Sequence, residues 1–186
     1  MDEVEVPSVV KGNLLVKPEF ARRITTYQVE PTQVGLLYID GVLIQRMQPG
    51  VYRFWKTDKL VTMKIVETRV QAMEVLGQEI LTKDKAGIRV NFYAQYKITD
   101  VEKAIVGAVD YYKQLYAKLQ MLLRAHIGTM TLDQLLANKE KLGPIIVDQI
   151  AESAAILGVK VMSAGCLLYT SPSPRDATLS RMPSSA

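Results

Sequence analysis

The chain is 186 residues long, with 48% hydrophobic and 23% charged residues and a formal charge of +4. These values exclude intrinsic disorder and suit one globular domain with a core of useful size. One cysteine and one histidine exclude a disulfide framework and a multi-cysteine zinc site.

Residues 1–25, punctuated by Pro7, Gly12 and Pro18, read as an irregular linker. No basic n-region or apolar run marks a signal peptide, since Asp2, Glu3 and Glu5 open the chain. The apolar stretches are all shorter than the roughly 18–20 residues of a spanning helix. The chain itself therefore reads as soluble.

Order begins near Val34. Val34–Ile39, Asp40-Gly41 and Val42–Ile44 have the form of a hairpin, because Asp-Gly suits the positive φ angles of a type I′ turn. Pro49-Gly50 marks the next turn, Val51–Trp55 a short strand, and Leu60–Val75 one bent strand or two. In Ile88–Ile98, Ile88, Val90, Phe92, Ala94, Tyr96 and Ile98 alternate with Arg89, Asn91, Tyr93, Gln95 and Lys97. That period of two predicts a strand with one buried and one wet face, as in an antiparallel sheet.

Helical signals follow. Thr99-Asp-Val-Glu102 has capping-box spacing with Thr99 at the N-cap, and Asp110 suits the cap of the next helix. Tyr112, Leu115, Leu119, Leu122 and His126 form its expected apolar stripe, ending at Gly128. Thr131-Leu-Asp-Gln134 repeats the capping-box spacing. Gly143-Pro144 is expected to start a fourth helix, which Gly158 stops, and Val159–Ser163 a returning strand. Strands followed by helices predict an α+β domain over residues 26–165. Residues 166–186 are rich in Ser and Pro and lack periodicity. They are expected to be a disordered, non-native tail similar to translated adapter sequence.

No catalytic, cofactor-binding or metal-binding residues are expected. His126 lies on an apolar helical stripe, and Cys166 has no basic cluster beside it to favour a thiolate. The glycines Gly35, Gly41, Gly50, Gly77 and Gly87 match no phosphate loop and read as turns and bulges, with a bulge expected at Gly87. Glu74, Glu79 and Asp84 could pair for acid–base work, but Lys83 and Lys85 interleave with them as at a solvated hairpin tip. Tyr52, Phe54 and Trp55, beside Arg53 and Lys56, are the candidate contact residues. They could stack on single-stranded nucleic acid, anchor at a lipid interface, or close the core of a strand. The dispersed charge argues against nucleic acid as partner.

Several ordered motifs carry a resemblance. Val34-Gly-Leu-Leu-Tyr-Ile-Asp-Gly41 and Gln48-Pro-Gly-Val-Tyr-Arg-Phe-Trp55 resemble the opening of the Band 7, or SPFH (stomatin–prohibitin–flotillin), domain. Gly77-Gln-Glu-Ile-Leu-Thr-Lys-Asp-Lys85, Arg89-Val-Asn91 and Tyr96-Lys-Ile-Thr-Asp100 resemble its central signature. Asp110–Tyr116, Leu119–Arg124, Thr131–Leu136 and Leu157–Ser163 continue it in order. The similarity is greatest to the bacterial stomatin-like (slipin) branch and covers Thr26 to Gly165.

The resemblance implies a curved, mainly antiparallel sheet followed by packed helices, and a scaffold in place of an enzyme. It implies membrane association, homo-oligomers that organise lipid microdomains, and regulation of membrane proteases or channels. A soluble adaptor that binds a membrane-protease partner without touching lipid is the alternative. The apolar N-terminal segment and the C-terminal coiled coil of such proteins are expected to lie outside this chain.

Overall fold

The structure is a computed structural model that describes residues 5–6 and 22–170. The chain forms two compact units, one up to Arg69 and one from Val70.

The first unit holds five strands: β1 Ile24–Val29, β2 Gln33–Ile39, β3 Val42–Met47, β4 Gly50–Trp55 and β5 Val61–Glu67. β2 is the middle strand of an antiparallel β3-β2-β5 sheet, and β1 pairs with β4 in an antiparallel ribbon. The β2–β3 turn is the expected one, with φ of 51° at Asp40 and 80° at Gly41. Leu37, Met47 and Phe54 form the core, with Tyr27, Tyr52, Val61 and Met63 packed around them. At Gly35 a Cβ would lie 2.9 Å from the Met63 sulfur and 3.1 Å from Met47 Cβ, so the interior closes only over a glycine.

The linker expectation for residues 1–25 is corrected at both described ends. Ile24 and Thr25 already belong to β1, and Glu5 bridges Phe54 while the Val6 N–H donates to the Arg53 carbonyl at 2.9 Å. The pairing partner of β1 comes some 25 residues later, so the local punctuation of Pro and Gly conceals it.

The second unit begins with β6 Gln71–Leu81 and β7 Gly87–Ile98. It continues with α1 Val101–Ile105, α2 Tyr111–Gly128, α3 Leu132–Ala137 and α4 Lys139–Ile156, and returns through β8 Val159–Thr170. The sheet order is β6-β7-β8, antiparallel throughout. All six residues expected on the inner face of β7 are buried, including Phe92 at 0% exposure and Tyr96 at 2%. They join Leu115, Leu119, Leu123 and Ile127 of α2 and Leu142, Ile146, Ile150 and Ala154 of α4 in the core. The α+β class with antiparallel strands ahead of packed helices is therefore observed.

Several local expectations are corrected. The N-cap of α1 is Asp100, whose side chain accepts from the Lys103 N–H; the Thr99 hydroxyl donates instead to the Gly158 carbonyl at 3.2 Å. The buried line of α2 passes through Leu123 and Ile127, leaving Leu122 and His126 half-buried beside it and Tyr112 at 40% exposure. α4 starts at Lys139, directly after α3, and carries Pro144 inside it, where the ring supplies no N–H to the Glu140 carbonyl. The bulge in β6 falls at Gly77, with φ of 64°, whereas Gly87 pairs in register with Leu81. Leu60–Val75 resolves into β5 and the start of β6.

β8 also runs beyond the boundary expected at residue 165. Cys166, Leu167, Leu168 and Tyr169 pair with Phe92, Asn91, Val90 and Arg89. A twelve-residue β7 offers ladder positions along its whole length, and Cys-Leu-Leu-Tyr is apolar enough to take them despite the Ser/Pro run that follows. The remainder of the expected tail, residues 171–186, lies outside the described residues.

Candidate functional site

The aromatic segment sits on β4, and strand alternation separates its members. Phe54 is 1% exposed, in the core beside Leu37 and Met47, with its ring centroid 6.1 Å from that of Tyr27. Tyr52 points to the same side, half-buried, and its hydroxyl donates to the Gln48 carbonyl at 2.7 Å. Trp55 has the opposite parity. It is half-buried on the outer face, in register with Ile24, and shares that face with Arg53 and with Val51, which is 50% exposed. The three aromatics therefore do not form one exposed platform. Phe54 lies in the core, Tyr52 packs half-buried against it, and Trp55 is half-buried on the opposite face.

The three carboxylates considered for acid–base work are also separated. Glu74 and Glu79 lie on the exposed face of β6, opposite Tyr93 and Arg89. Asp84 belongs to a closed turn: the buried Thr82 hydroxyl donates to its Oδ1 at 2.5 Å, and the Leu132 N–H donates to the same oxygen at 3.2 Å. The Thr82 hydroxyl bond is the main cause that holds the Asp84 carboxyl below its ordinary range. The Lys83 N–H donates to the Met130 carbonyl at 2.8 Å, so the β6–β7 turn is tied to the α2–α3 connection. Lys83, Asp84 and Lys85 are all exposed, as expected of a solvated tip, and the backbone tie is an addition to it.

One polar cluster has no counterpart in the sequence reading. The bulge at Gly77 reverses the parity of β6, so Gln78 turns inward with Met73, Val75 and Ile80. Its Oε1 accepts from Gln120 Nε2 at 2.6 Å and from Arg124 Nη2 at 3.1 Å, and its Nε2 donates to the Leu76 carbonyl at 3.0 Å. Asn91 Oδ1 receives the Gly77 N–H at 2.8 Å. The signal was available: Val75 and Ile80 are both apolar but an odd number of residues apart, with a glycine between them. This polar network ties β6 to α2 across the sheet–helix contact.

His126 is half-buried in the last turn of α2, and its carbonyl accepts the Thr129 hydroxyl at 2.7 Å. Burial pushes the Cys166 thiol up, away from the thiolate form. Among the described residues no group of three or more His, Cys, Asp or Glu is placed to hold a metal, and no helix is long and apolar enough to cross a membrane.

Residues 27–174 match the SPFH domain / Band 7 family. The chain belongs to this family. An uncharacterized protein of Archaeoglobus fulgidus is 30% identical over 133 residues, 72% of this chain and 53% of that protein. A stomatin homolog of Pyrococcus horikoshii is 34% identical over 97 residues, 52% of this chain and 36% of that protein. Human stomatin-like protein 3 is 28% identical over 96 residues, 52% of this chain and 33% of that protein. The SPFH chain thus spans about half the length, or less, of these relatives. They are archaeal and human, and the finer placement in a bacterial slipin branch finds no support among them.

Proposed function

We propose that this chain is the SPFH portion of a membrane-associated scaffold of stomatin type, one that performs no bond chemistry. Its parent protein forms homo-oligomers that organise membrane microdomains and regulate membrane proteases or channels. The observation that carries this reading is the family match over residues 27–174, supported by the stomatin names of two of its relatives. Among the described residues, Asp100, Asp110 and Thr131 cap helices, Asp84 holds a turn and Gln78 ties the sheet to α2.

A second reading, a soluble adaptor that meets a membrane protease without lipid contact, draws on the burial of Phe54. That burial removes the aromatic segment's core member from the reach of a bilayer. Flotation and mass photometry of the protein purified from its source separate the two. The scaffold reading expects large homo-oligomers that float with membranes. A monomer left in the soluble fraction would overturn it and favour the adaptor.

A further inference from the structure

β8 is an edge strand. The β6-β7-β8 order leaves one side of it without a ladder partner among the described residues, so alternate N–H and C=O groups point away from β7. α4 packs antiparallel along it, with Lys139 beside Cys166 and Gly143 beside Ala164. A Cβ at Gly143 would collide with the Ala164 carbonyl oxygen, so helix and strand are held close. Next to that contact Ser163 pairs with Gln95 and Val161 with Tyr96, which makes Met162 the extra residue of a bulge. Met162, 44% exposed, joins Ser163 and Ala164 as one wall of a cleft of about 390 Å³, and Pro144, Val147 and Asp148 of α4 form the other. Glu140 stands on the same side of α4 as Pro144 and Val147 by helical spacing. Asp148 and Glu140 are both exposed and have no ion-pair partner among the described residues.

We infer that this cleft takes an extended peptide segment of a partner protein, added as a further strand on the β8 edge, with a Lys or Arg between apolar residues on its α4-facing side. The inference adds a contact surface to the scaffold reading and rests on it in taking the ligand to be a protein. Backbone pairing to an open edge supplies affinity, and pockets for alternate side chains supply selectivity. Alternate side chains of the added strand meet Pro144 and Val147, which are apolar, and Asp148, which calls for a cation. The volume lies within the ordinary range of ligand clefts, about 300–1,000 Å³. A second copy of this chain fits less well. Two β8 edges pairing antiparallel place both α4 helices on one face of the joint sheet. With the twofold axis beside Met162–Ala164, Asp148 then faces its own counterpart, and like charges repel.

The probe is the end-capped peptide Thr-Val-Thr-Lys-Thr-Val-Thr, whose Val, Lys and Val share one face of a strand. It is titrated into the isotope-labelled whole chain and followed by amide chemical shifts and hydrogen exchange. The expected result is shifts confined to β8 and the cleft side of α4, with slowed exchange of the β8 amides that point away from β7. Replacing the peptide's Lys by Glu should weaken binding at least about tenfold. N-methylation of alternate peptide residues should abolish binding for one of the two alternations, the one whose N–H groups meet β8. Asp148→Lys, once circular dichroism shows it folded, should reverse the preference and bind the Glu peptide better. Asp133→Lys, on α3, should leave the preference as it is.

Shifts that map away from β8 and α4, or equal affinity for the Lys and Glu peptides before and after Asp148→Lys, would overturn the assignment of the cleft. The absence of any shift at about 5 mM peptide would overturn it as well. Shifts of β8 amides that follow the concentration of the chain alone, without peptide, would give the edge to a second copy and overturn it in that direction. Each of these results leaves the scaffold reading standing, because flotation and mass photometry of the parent protein test that reading separately.

Discussion

A Cβ on Gly158 would stand 2.4 Å from the backbone oxygen of Asp100. Gly158 has a φ of 69°, and its carbonyl accepts from the Thr99 and Asp100 N–H groups at 2.9 and 3.0 Å. One residue therefore ends the turn after α4, admits β8 and anchors the entry to α1. Gly158→Ala meets both a left-handed backbone and a backbone clash, so it should destabilise the second unit by about 2–4 kcal/mol. Chemical denaturation followed by circular dichroism measures it, and a shift under about 0.5 kcal/mol would contradict the geometry.

The two faces of β7 make opposite predictions. Phe92 is fully buried between sheet and helices, and Phe92→Ala should cost about 3–5 kcal/mol. Arg89 is exposed across from Glu79 and Tyr169, and Arg89→Ala should stay within about 0.5 kcal/mol. Melting curves of the two variants should separate widely; similar curves would mean that the faces are misassigned.

Thr131 caps α3 with a complete capping box, its hydroxyl accepting from the Gln134 N–H while Gln134 Oε1 accepts from the Thr131 N–H at 3.1 Å. Thr131→Ala should cost about 1 kcal/mol, and Thr131→Ser should restore most of it. Urea midpoints of the three proteins decide whether the box, and not the methyl group, is what matters.

Acid should act on the first unit through Glu67. The Arg69 guanidinium clasps its carboxylate, Nε to Oε1 at 3.1 Å and Nη2 to Oε2 at 2.8 Å, and lowers the pKa from 4.5 to about 2. Because the folded value lies below the unfolded one, the contribution is complete above 4.5 and is lost as pH falls towards about 2. Glu67→Gln should flatten this part of the stability curve. Denaturant titrations at stepped pH, read by Trp55 emission, test it, and an unchanged slope would show that other carboxylates govern that limb.

Patterns that repeat along the chain were readable from residues alone. The alternation of Ile88–Ile98 fixes which side chains of β7 are buried, because a strand has a strict period of two. Asp40-Gly41 defines a tight hairpin because few residue pairs tolerate two positive φ angles. Asp110 and Thr131 cap helices because a short polar side chain there meets free N–H groups. The ordered motifs from Val34 to Ser163 point to the SPFH family by the same kind of local legibility, and the family is the one observed.

Tertiary structure alone decided the rest, wherever a choice depended on a partner distant in sequence. β1 is a strand because β4 pairs with it, and β8 extends to Thr170 because β7 still has ladder positions to fill. Thr99 yields the N-cap to Asp100 because the Gly158 carbonyl, 59 residues away, takes its hydroxyl. Gly77 bulges and turns Gln78 inward to Gln120 and Arg124 on α2. The aromatic segment is the sharpest instance. Composition placed Tyr52, Phe54 and Trp55 together, but the side of a strand that faces a core is set by what packs against it. Leu37 and Met47 hold Phe54 inside, and Trp55 remains outside with Arg53.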